Sequence, residues 1–376
     1  MTPFLNSNWP SSAITASNAQ SVKNILVKRL EKFKNQNINV IYYHCRAMCD
    51  ATYESSYEPW SSTVSGKRGQ APAFDPFGYL VEESHKKGIE VYAWINPYRY
   101  CSGSKYGEGE LNYENSHPDW LISQTKESIL NPGLEEVKQR IVDVISEIVT
   151  KYDVDGVIFD DYFYTSGTPM SLDADLYKKY TDGGGKLSQA DWRRANINEM
   201  VARVNKAIKE IKPWVSFGVG PAGVASPPNV TSEYGLPAAP GGGDWQYSGI
   251  YSDPLAWFKQ GSIDFMSPQI YWPSRFDALS KWWADAALKY GRHAYPSIDL
   301  SAVGTPKVEE VCREIRQTRL VSPADASGLV YFQYATFVNY YEKFDGKSQE
   351  LGAILGATEY ADRALVPLRP WTGSVS

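Results

Sequence analysis

The chain has 376 residues, 43% of them hydrophobic and 22% charged, which is typical of a soluble globular protein with a large core. Its net charge of −5 gives no sign of a surface that binds nucleic acid, and no run approaches the ~18 apolar residues of a membrane span. The four cysteines are too few for a disulfide framework.

Segments typical of buried strands alternate with helix-like segments along the chain. A helical pattern at 22–30 precedes the first clear strand pattern, and the full set of strand patterns is 38–46, 89–98, 152–164, 214–220, 263–272, 293–300 and 328–337. Residues 2–5 are predicted as a further, shortened first strand. Eight βα units predict an α/β fold, namely a (β/α)8 TIM barrel.

The barrel is predicted as a single domain over residues 1–364, followed by a tail or linker stub over 365–376. A doubly wound open sheet is the alternative, but no Gly-x-Gly-x-x-Gly follows a strand. Two long loops, residues 99–132 after strand 3 and residues 221–249 after strand 5, would lie on the face where barrels build binding sites. The shortened first strand is expected to leave one seam of the barrel less paired.

Strand 4 ends in two adjacent carboxylates, Asp160 and Asp161. Charges at the mouth of a buried strand are hydrogen-bonded, metal-bound or used in chemistry, although a solvated strand end would also explain an isolated pair. Because side chains alternate along a strand, Ile158 and Asp160 are expected to face the barrel axis, and Val157 and Phe159 the helices. The sequence therefore favours Asp160 as the central group and Asp161 as its helper.

Polar and aromatic side chains from other strand ends are expected to converge on this pair. Glycoside hydrolysis needs one protonated carboxyl as acid and a second as nucleophile or base, and their separation sets the stereochemistry. The partner of Asp160 stays open among Asp161, Glu58, Asp50 and Asp299. The residues expected to bind substrate are Arg46, Asp50, Trp94, Asn96, Tyr98, Arg99, Gln269, Tyr271, Trp272 and Gln333.

Neither a metal nor a cofactor is expected. His44, Cys45 and Cys49 lack the second pair of ligands that would complete a tetrahedral zinc site. A metal-dependent deacetylase would need His-rich ligation at the strand ends, and the chain has only four histidines.

Distinctive short motifs occur along nearly the whole chain. They are Asn8-Trp-Pro10, Tyr53-Glu-Ser-Ser-Tyr-Glu-Pro-Trp-Ser61, Gly66-Lys-Arg-Gly69, Asp75-Pro76, Ala93-Trp-Ile-Asn-Pro-Tyr-Arg99, His117-Pro-Asp-Trp-Leu121, Leu130-Asn-Pro-Gly133, Asp153-Val-Asp-Gly156, Phe159-Asp-Asp-Tyr-Phe-Tyr164, Trp192-Arg-Arg194 and Pro268-Gln-Ile-Tyr-Trp272. In this order they resemble the glycosyl-hydrolase-like 10 family of bacterial cell-envelope proteins.

The resemblance implies a TIM barrel that hydrolyses glycans, and some members look like hydrolases of peptidoglycan strands stripped of their stem peptides. It places Asp160 and Asp161 on the family's paired aspartates and Glu58 on its Glu-Pro-Trp-Ser motif. Relatives usually have a longer first strand, whereas only seven residues precede Asn8 here, which suggests a trimmed or misassigned start. Strand 2 ends in His44-Cys-Arg-Ala47, where relatives typically have Gln-Val-Arg-Pro.

We therefore expect a glycoside hydrolase that acts on a cell-wall type amino-sugar polymer. Its expected partner is a carbohydrate polymer or oligosaccharide, and its expected location is the cell envelope, periplasmic or secreted. Residues 1–6 have neither the basic nor the apolar region of a signal peptide, so this location implies a removed signal or lipid anchor. A non-catalytic carbohydrate-binding barrel and a hydrolase of another polysaccharide are the alternatives.

Overall fold

A parallel sheet with helices packed outside it forms the centre of the molecule. The computed structural model describes residues 1–5, 8–103, 106–107, 109, 112–125, 127–303, 307–323, 327–367 and 371. Its strands are β1 (Val40–Arg46), β2 (Glu90–Ile95), β3 (Arg99–Ser102), β4 (Leu121–Ser123), β5 (Glu127–Leu130), β6 (Gly156–Asp160), β7 (Ser216–Gly220), β8 (Phe265–Met266), β9 (His293–Ala294), β10 (Ser297–Asp299), β11 (Val330–Phe332), β12 (Tyr341–Phe344) and β13 (Lys347–Glu350).

The strands follow one another around the sheet in chain order. β1, β2, β6, β7, β8 and β9 form a six-stranded parallel sheet, and β10 pairs in parallel with β11. A parallel bridge between Gln269 and Ser297 links the two sheets. The described strands therefore give the α/β order that the sequence predicts, with β9 and β10 as two parts of the seventh predicted strand.

Helices lie between the parallel strands. Their bounds are α1 (Ala19–Asn35), α2 (Ser62–Ser65), α3 (Pro76–His85), α4 (Tyr113–Ser116), α5 (Glu135–Lys151), α6 (Ala174–Asp182), α7 (Gln189–Ile211), α8 (Pro228–Glu233), α9 (Pro254–Gln260), α10 (Phe276–Lys289), α11 (Lys307–Val321), α12 (Tyr334–Asn339) and α13 (Leu351–Ala357). Local chemistry sets several starts: the side chains of Asp75, Ser188 and Asp253 accept backbone N–H groups in the first turns of α3, α7 and α9. No helix among the described residues has both the length and the apolar character of a membrane span.

The alternation along β6 is the one that the sequence predicts. Ile158 packs inside the sheet with Tyr92 and other aromatic residues, whereas Val157 and Phe159 belong to the larger core shared with the helices. Gly156 must be glycine, because a Cβ there would lie 2.6 Å from the ring of Tyr92. Asp160 is therefore directed to the same side as Ile158.

Among the described residues, no strand closes the ring at its first position. Residues 3–5 form a 3-10 turn rather than the predicted strand, and Met1 pairs with β1 through Tyr42 O at 2.6 Å and His44 N at 2.9 Å. Among the described strands none joins β11 to β1, and a cavity of about 510 Å³ lies between their amino-terminal ends. The described strands do not form the complete eight-stranded barrel that the sequence predicts, in keeping with the expected less-paired seam.

The two long loops and the end of the chain have structure of their own. The loop after β2 contains an antiparallel sheet in the order β3-β5-β4, and the loop after β7 contains α8. A β12–β13 hairpin, which the sequence analysis did not predict, turns at Asp345 and Gly346, both with positive φ. Within the predicted tail, the indole N–H of Trp371 donates to Asp264 at 2.8 Å.

Candidate active site

Asp160 lies at the carboxyl end of β6, where three donors hold its carboxylate. Trp94 Nε1 donates to Oδ2 at 3.1 Å, and Gln269 Nε2 donates to Oδ1 at 3.0 Å. The backbone N–H of Asp161 donates to the same Oδ1 at 2.9 Å. Because the two side-chain donors come from two other strand ends, the fold fixes the orientation of this carboxylate in advance of any ligand.

The two side chains that hold Asp160 are themselves held. The ring of Trp94 stacks on His44 with 4.0 Å between centroids, and burial lowers the pKa of His44 to about 3, so this imidazole is neutral. Gln269 Nε2 also donates to Gly220 O at 2.8 Å, so both of its amide hydrogens have acceptors. Trp94 was predicted to contact sugar, but in this structure it orients the carboxylate.

Asp161 shares the environment of Asp160. Both side chains keep some exposed surface, yet burial raises the pKa of each. The pKa of Asp161 rises furthest, well above its usual range, because of burial and because the Asp160 carboxylate lies beside it and accepts its hydrogen bond. None of the ion pairs formed by the described residues includes either carboxyl. These directions favour Asp161 over Asp160 as the carboxyl that keeps a proton.

Aromatic and cationic side chains border the pair. Burial raises the pKa of Tyr271 and of Tyr162, and the nearby charge of Asp160 contributes to both shifts. The guanidinium of Arg99 lies 4.5 Å from the ring centre of Tyr162. Trp272 is 43% exposed, which leaves a ring face available to a sugar. Sequence analysis missed Tyr162, although it directly follows the aspartate pair.

Arg46 and Glu58 form a separate ion pair in the core. Arg46 Nε and Nη2 donate to Glu58 Oε1 at 2.9 and 2.7 Å, and Arg46 Nη1 donates to the carbonyl oxygens of Asn96 and Pro97. The hydroxyl of Tyr113 donates to the same Glu58 oxygen at 3.2 Å. At 1% and 2% exposure the two charged residues are out of reach of a sugar. This geometry contradicts the predicted catalytic role of Glu58 and the predicted substrate contacts of Arg46 and Asn96.

Four other predicted site residues have structural contacts. Asp50 is buried and accepts the backbone N–H of Met48 at 3.0 Å, and Tyr98 is fully buried, so the predicted substrate contacts of both conflict with their positions. Asp299 accepts the backbone N–H and the hydroxyl of Ser301 at 2.8 and 2.6 Å. Gln333 accepts the amide N–H of Asn8 at 2.9 Å. The structure thus brings together Asp160, Asp161, Trp94 and Gln269, with Tyr271 nearby.

The described residues contain no group of three His, Cys, Asp or Glu side chains placed to hold a metal ion. All four cysteines are buried free thiols, and burial raises the pKa of Cys45 and Cys49. His44 lies against Trp94, and its Nδ1 is 3.0 Å from the hydroxyl of Thr2.

The sequence of this chain matches the model of one protein family, described as glycosyl hydrolase-like 10, over residues 2–312. The chain belongs to the glycosyl hydrolase-like 10 family. Glycosyl hydrolase DigH of Escherichia coli (strain K12) is 37% identical over 328 residues, 80% of this chain and 72% of that protein. Glycosyl hydrolase YngK of Bacillus subtilis (strain 168) is 32% identical over 396 aligned positions, 98% of this chain and 72% of that protein.

Solved structures of glycoside hydrolases share the fold of this glycosyl hydrolase-like 10 chain. The PgaB (BpsB) glycoside hydrolase domain from Bordetella bronchiseptica aligns with a TM-score of 0.53 at 13% identity, covering 89% of this chain and 94% of that domain. Alpha-L-fucosidase isoenzyme 2 from Paenibacillus thiaminolyticus aligns with a TM-score of 0.53 at 15% identity, covering 89% of this chain and 45% of that protein. At these identities the likeness concerns the fold alone. The family and its named relatives support assignment as a glycoside hydrolase.

Proposed function

We propose that this protein hydrolyses glycosidic bonds in an amino-sugar polymer of the bacterial cell wall, with peptide-free peptidoglycan strands as its substrate. The observation that carries the proposal is the Asp160–Asp161 pair, which lies at the strand ends and takes part in none of the ion pairs of the described residues. A buried carboxyl pair without a cation retains a proton, and glycoside hydrolysis requires a carboxylic acid beside a carboxylate.

The roles follow from the two environments. Asp161, whose pKa is raised most, is the acid that protonates the leaving oxygen. Asp160, held by Trp94 and Gln269, keeps its charge and faces the positive charge that develops on the sugar ring. Tyr271 and the exposed ring of Trp272 border the sugar.

The polymer and the location rest on the family. Some members of the glycosyl hydrolase-like 10 family look like hydrolases of peptide-free glycan strands, and we propose that this protein acts with them in the cell envelope. The order of the parallel strands supports a TIM barrel whose first strand position is the weakly paired segment that includes Met1.

Digestion of purified glycan tests the proposal. Wild type is incubated with peptide-free glycan strands and with intact peptidoglycan, and the products are resolved by liquid chromatography and mass spectrometry. We expect soluble fragments from the peptide-free strands alone, and none from Asp161→Asn. The matched control is Asp182→Asn, which alters an exposed aspartate paired with Lys178. Saturable binding of the strands without cleavage by wild type would instead support a non-catalytic barrel.

A further inference from the structure

The two aspartates are too close together to stand on opposite sides of a glycosidic bond. They are consecutive residues, the backbone N–H of Asp161 donates to Asp160 Oδ1 at 2.9 Å, and the Asp160 carboxylate is close enough to raise the pKa of Asp161. The two carboxyls of a retaining glycosidase with a protein nucleophile are about 5–5.5 Å apart, and those of an inverting enzyme about 6.5–9.5 Å. A sugar therefore meets Asp160 and Asp161 from one side.

The other acids predicted for this site have different contacts. Glu58 is buried against Arg46, and Asp50 is buried 3.5 Å from the guanidinium of Arg68. Asp299 accepts two hydrogen bonds from Ser301. Their buried contacts exclude Glu58 and Asp50 as the carboxylate that would attack the anomeric carbon or activate a water on the far side of the sugar, and no hydrogen bond or ion pair among the described residues joins Asp299 to the Asp160–Asp161 pair.

Asp160 itself is poorly placed to form a covalent bond with the sugar. A carboxylate has about four acceptor positions, and three of those on Asp160 are filled by Trp94 Nε1, Gln269 Nε2 and the N–H of Asp161. Donors on both oxygens stabilise the charge and reduce nucleophilicity. The Asp161 carboxyl lies beside the fourth position in the free protein. When Asp161 turns towards a leaving oxygen, this position becomes available to an N–H donor of the substrate.

We propose that the nucleophile is the 2-acetamido group of the substrate, which Asp160 orients while Asp161 serves as the acid. This inference rests on the proposed glycosidase function and adds to it a requirement for an N-acetyl group on the sugar whose bond is cleaved. Substrate-assisted catalysis of this kind needs no carboxylate that attacks the anomeric carbon, because the acetamido carbonyl oxygen takes that role.

The reaction balances in two steps. In the first, the acetamido carbonyl oxygen bonds to C1 and the C1–O bond to the leaving sugar breaks. The Asp161 proton passes to the leaving oxygen, and the acetamido N–H proton passes to Asp160, which leaves a neutral oxazoline. In the second step, water bonds to C1 and gives a proton to Asp161, the C1–O bond of the oxazoline breaks, and Asp160 returns its proton to the nitrogen. The product retains its anomeric configuration.

Chemically altered strands test the inference. Peptide-free glycan strands are N-deacetylated, and portions are then re-acylated with acetyl or with trifluoroacetyl groups. Trifluoroacetyl has nearly the shape of acetyl, but its carbonyl oxygen is a much weaker nucleophile. We expect wild type to cleave native and re-acetylated strands at equal rates. We expect kcat to fall at least about 100-fold on trifluoroacetylated strands with little change in KM, and deacetylated strands to resist cleavage.

The outcomes separate this inference from the proposed function. Equal kcat on acetylated and trifluoroacetylated strands, or a covalent glycosyl adduct found by mass spectrometry after rapid quenching, would overturn the substrate-assisted step and leave the glycosidase assignment intact. Failure of wild type to cleave any strand would overturn both. Inversion at the anomeric carbon, followed by NMR during digestion, would also contradict the inference.

Discussion

The Arg46–Glu58 pair and the Asp160–Asp161 pair bury carboxyl groups in opposite ways. Glu58 shares the core with a guanidinium that donates to it twice, and both residues are almost without exposed surface. Asp160 and Asp161 are both partly exposed, and the ion pairs of the described residues do not include them. A carboxylate with a buried cation stabilises the fold, whereas two carboxyls without one retain a proton and can exchange it with a substrate.

The largest expected effect is the loss of activity when either residue of the Asp160–Asp161 pair is changed. Asp161→Asn removes the acid and Asp160→Asn removes the charge beside it. Each change should reduce kcat/KM on peptide-free glycan strands by about 10²–10⁴-fold. Unchanged circular dichroism and unfolding midpoints should accompany the loss. Activity within a few-fold of wild type in either variant would remove that residue from the mechanism.

Glu58→Gln should have its largest effect on stability. The substitution leaves the charge of Arg46 buried without a counter-ion, so we expect the free energy of unfolding to fall by about 3–5 kcal/mol. The exposed Lys178–Asp182 pair supplies the control, since Asp182→Asn should cost less than about 0.5 kcal/mol. Chemical denaturation measures both. If Glu58→Gln left the free energy of unfolding unchanged, the buried ion pair would not stabilise the fold.

The carboxyl pair should also make stability depend on pH. The pKa of both groups is raised in the folded protein, so between the usual Asp value and the folded values the unfolded chain has lost protons that the folded chain keeps. The free energy of unfolding should therefore fall as pH rises through this window, by at most about 1.4 kcal/mol per pH unit for each proton. Asp161→Asn should flatten this dependence. If the free energy of unfolding of Asp161→Asn depended on pH as it does in wild type, the claim that the pair retains a proton would be contradicted.

A smaller effect is expected at Trp94. Trp94→Phe keeps a ring over His44 but removes the N–H that donates to Asp160. Loss of one hydrogen bond to a charged group should lower kcat/KM about 10-fold. Because that bond favours the charged form, its loss should raise the pKa of Asp160 and move the acidic limb of the pH–rate profile to higher pH. A uniform fall in rate with no displacement of the limb would indicate a general structural role.

The position of Asp160 could be predicted from the sequence, because strand alternation is a local rule and Ile158 lies two residues before it on the same face. The fate of Glu58 could not. Its partner Arg46 is twelve residues away, across a loop whose path depends on tertiary packing, and the sequence does not reveal burial there. The contact between Trp94 and Asp160 joins two strands 66 residues apart, so periodicity contains no signal for it.

The fold, like the site, could be predicted only in part from the sequence. The hydrophobic pattern gave the order of the parallel strands, because each buried strand has its own apolar run. It did not predict the antiparallel β3-β5-β4 sheet, whose short strands lie inside a segment that reads as loop. The 3-10 turn at residues 3–5 was also missed, since the five residues 1–5 are too few to define a hydrophobic period.

The most direct test of the central claim is the protonation state of the pair. Infrared difference spectra between wild type and Asp161→Asn, recorded at about pH 6, isolate the carboxyl band of Asp161 from those of other buried acids such as Glu314, whose pKa burial raises to about 8. The account predicts a protonated-carboxyl band that is present in wild type, absent from Asp161→Asn, and retained in Asp182→Asn. A wild-type spectrum without that band would show two charged aspartates and would contradict the account.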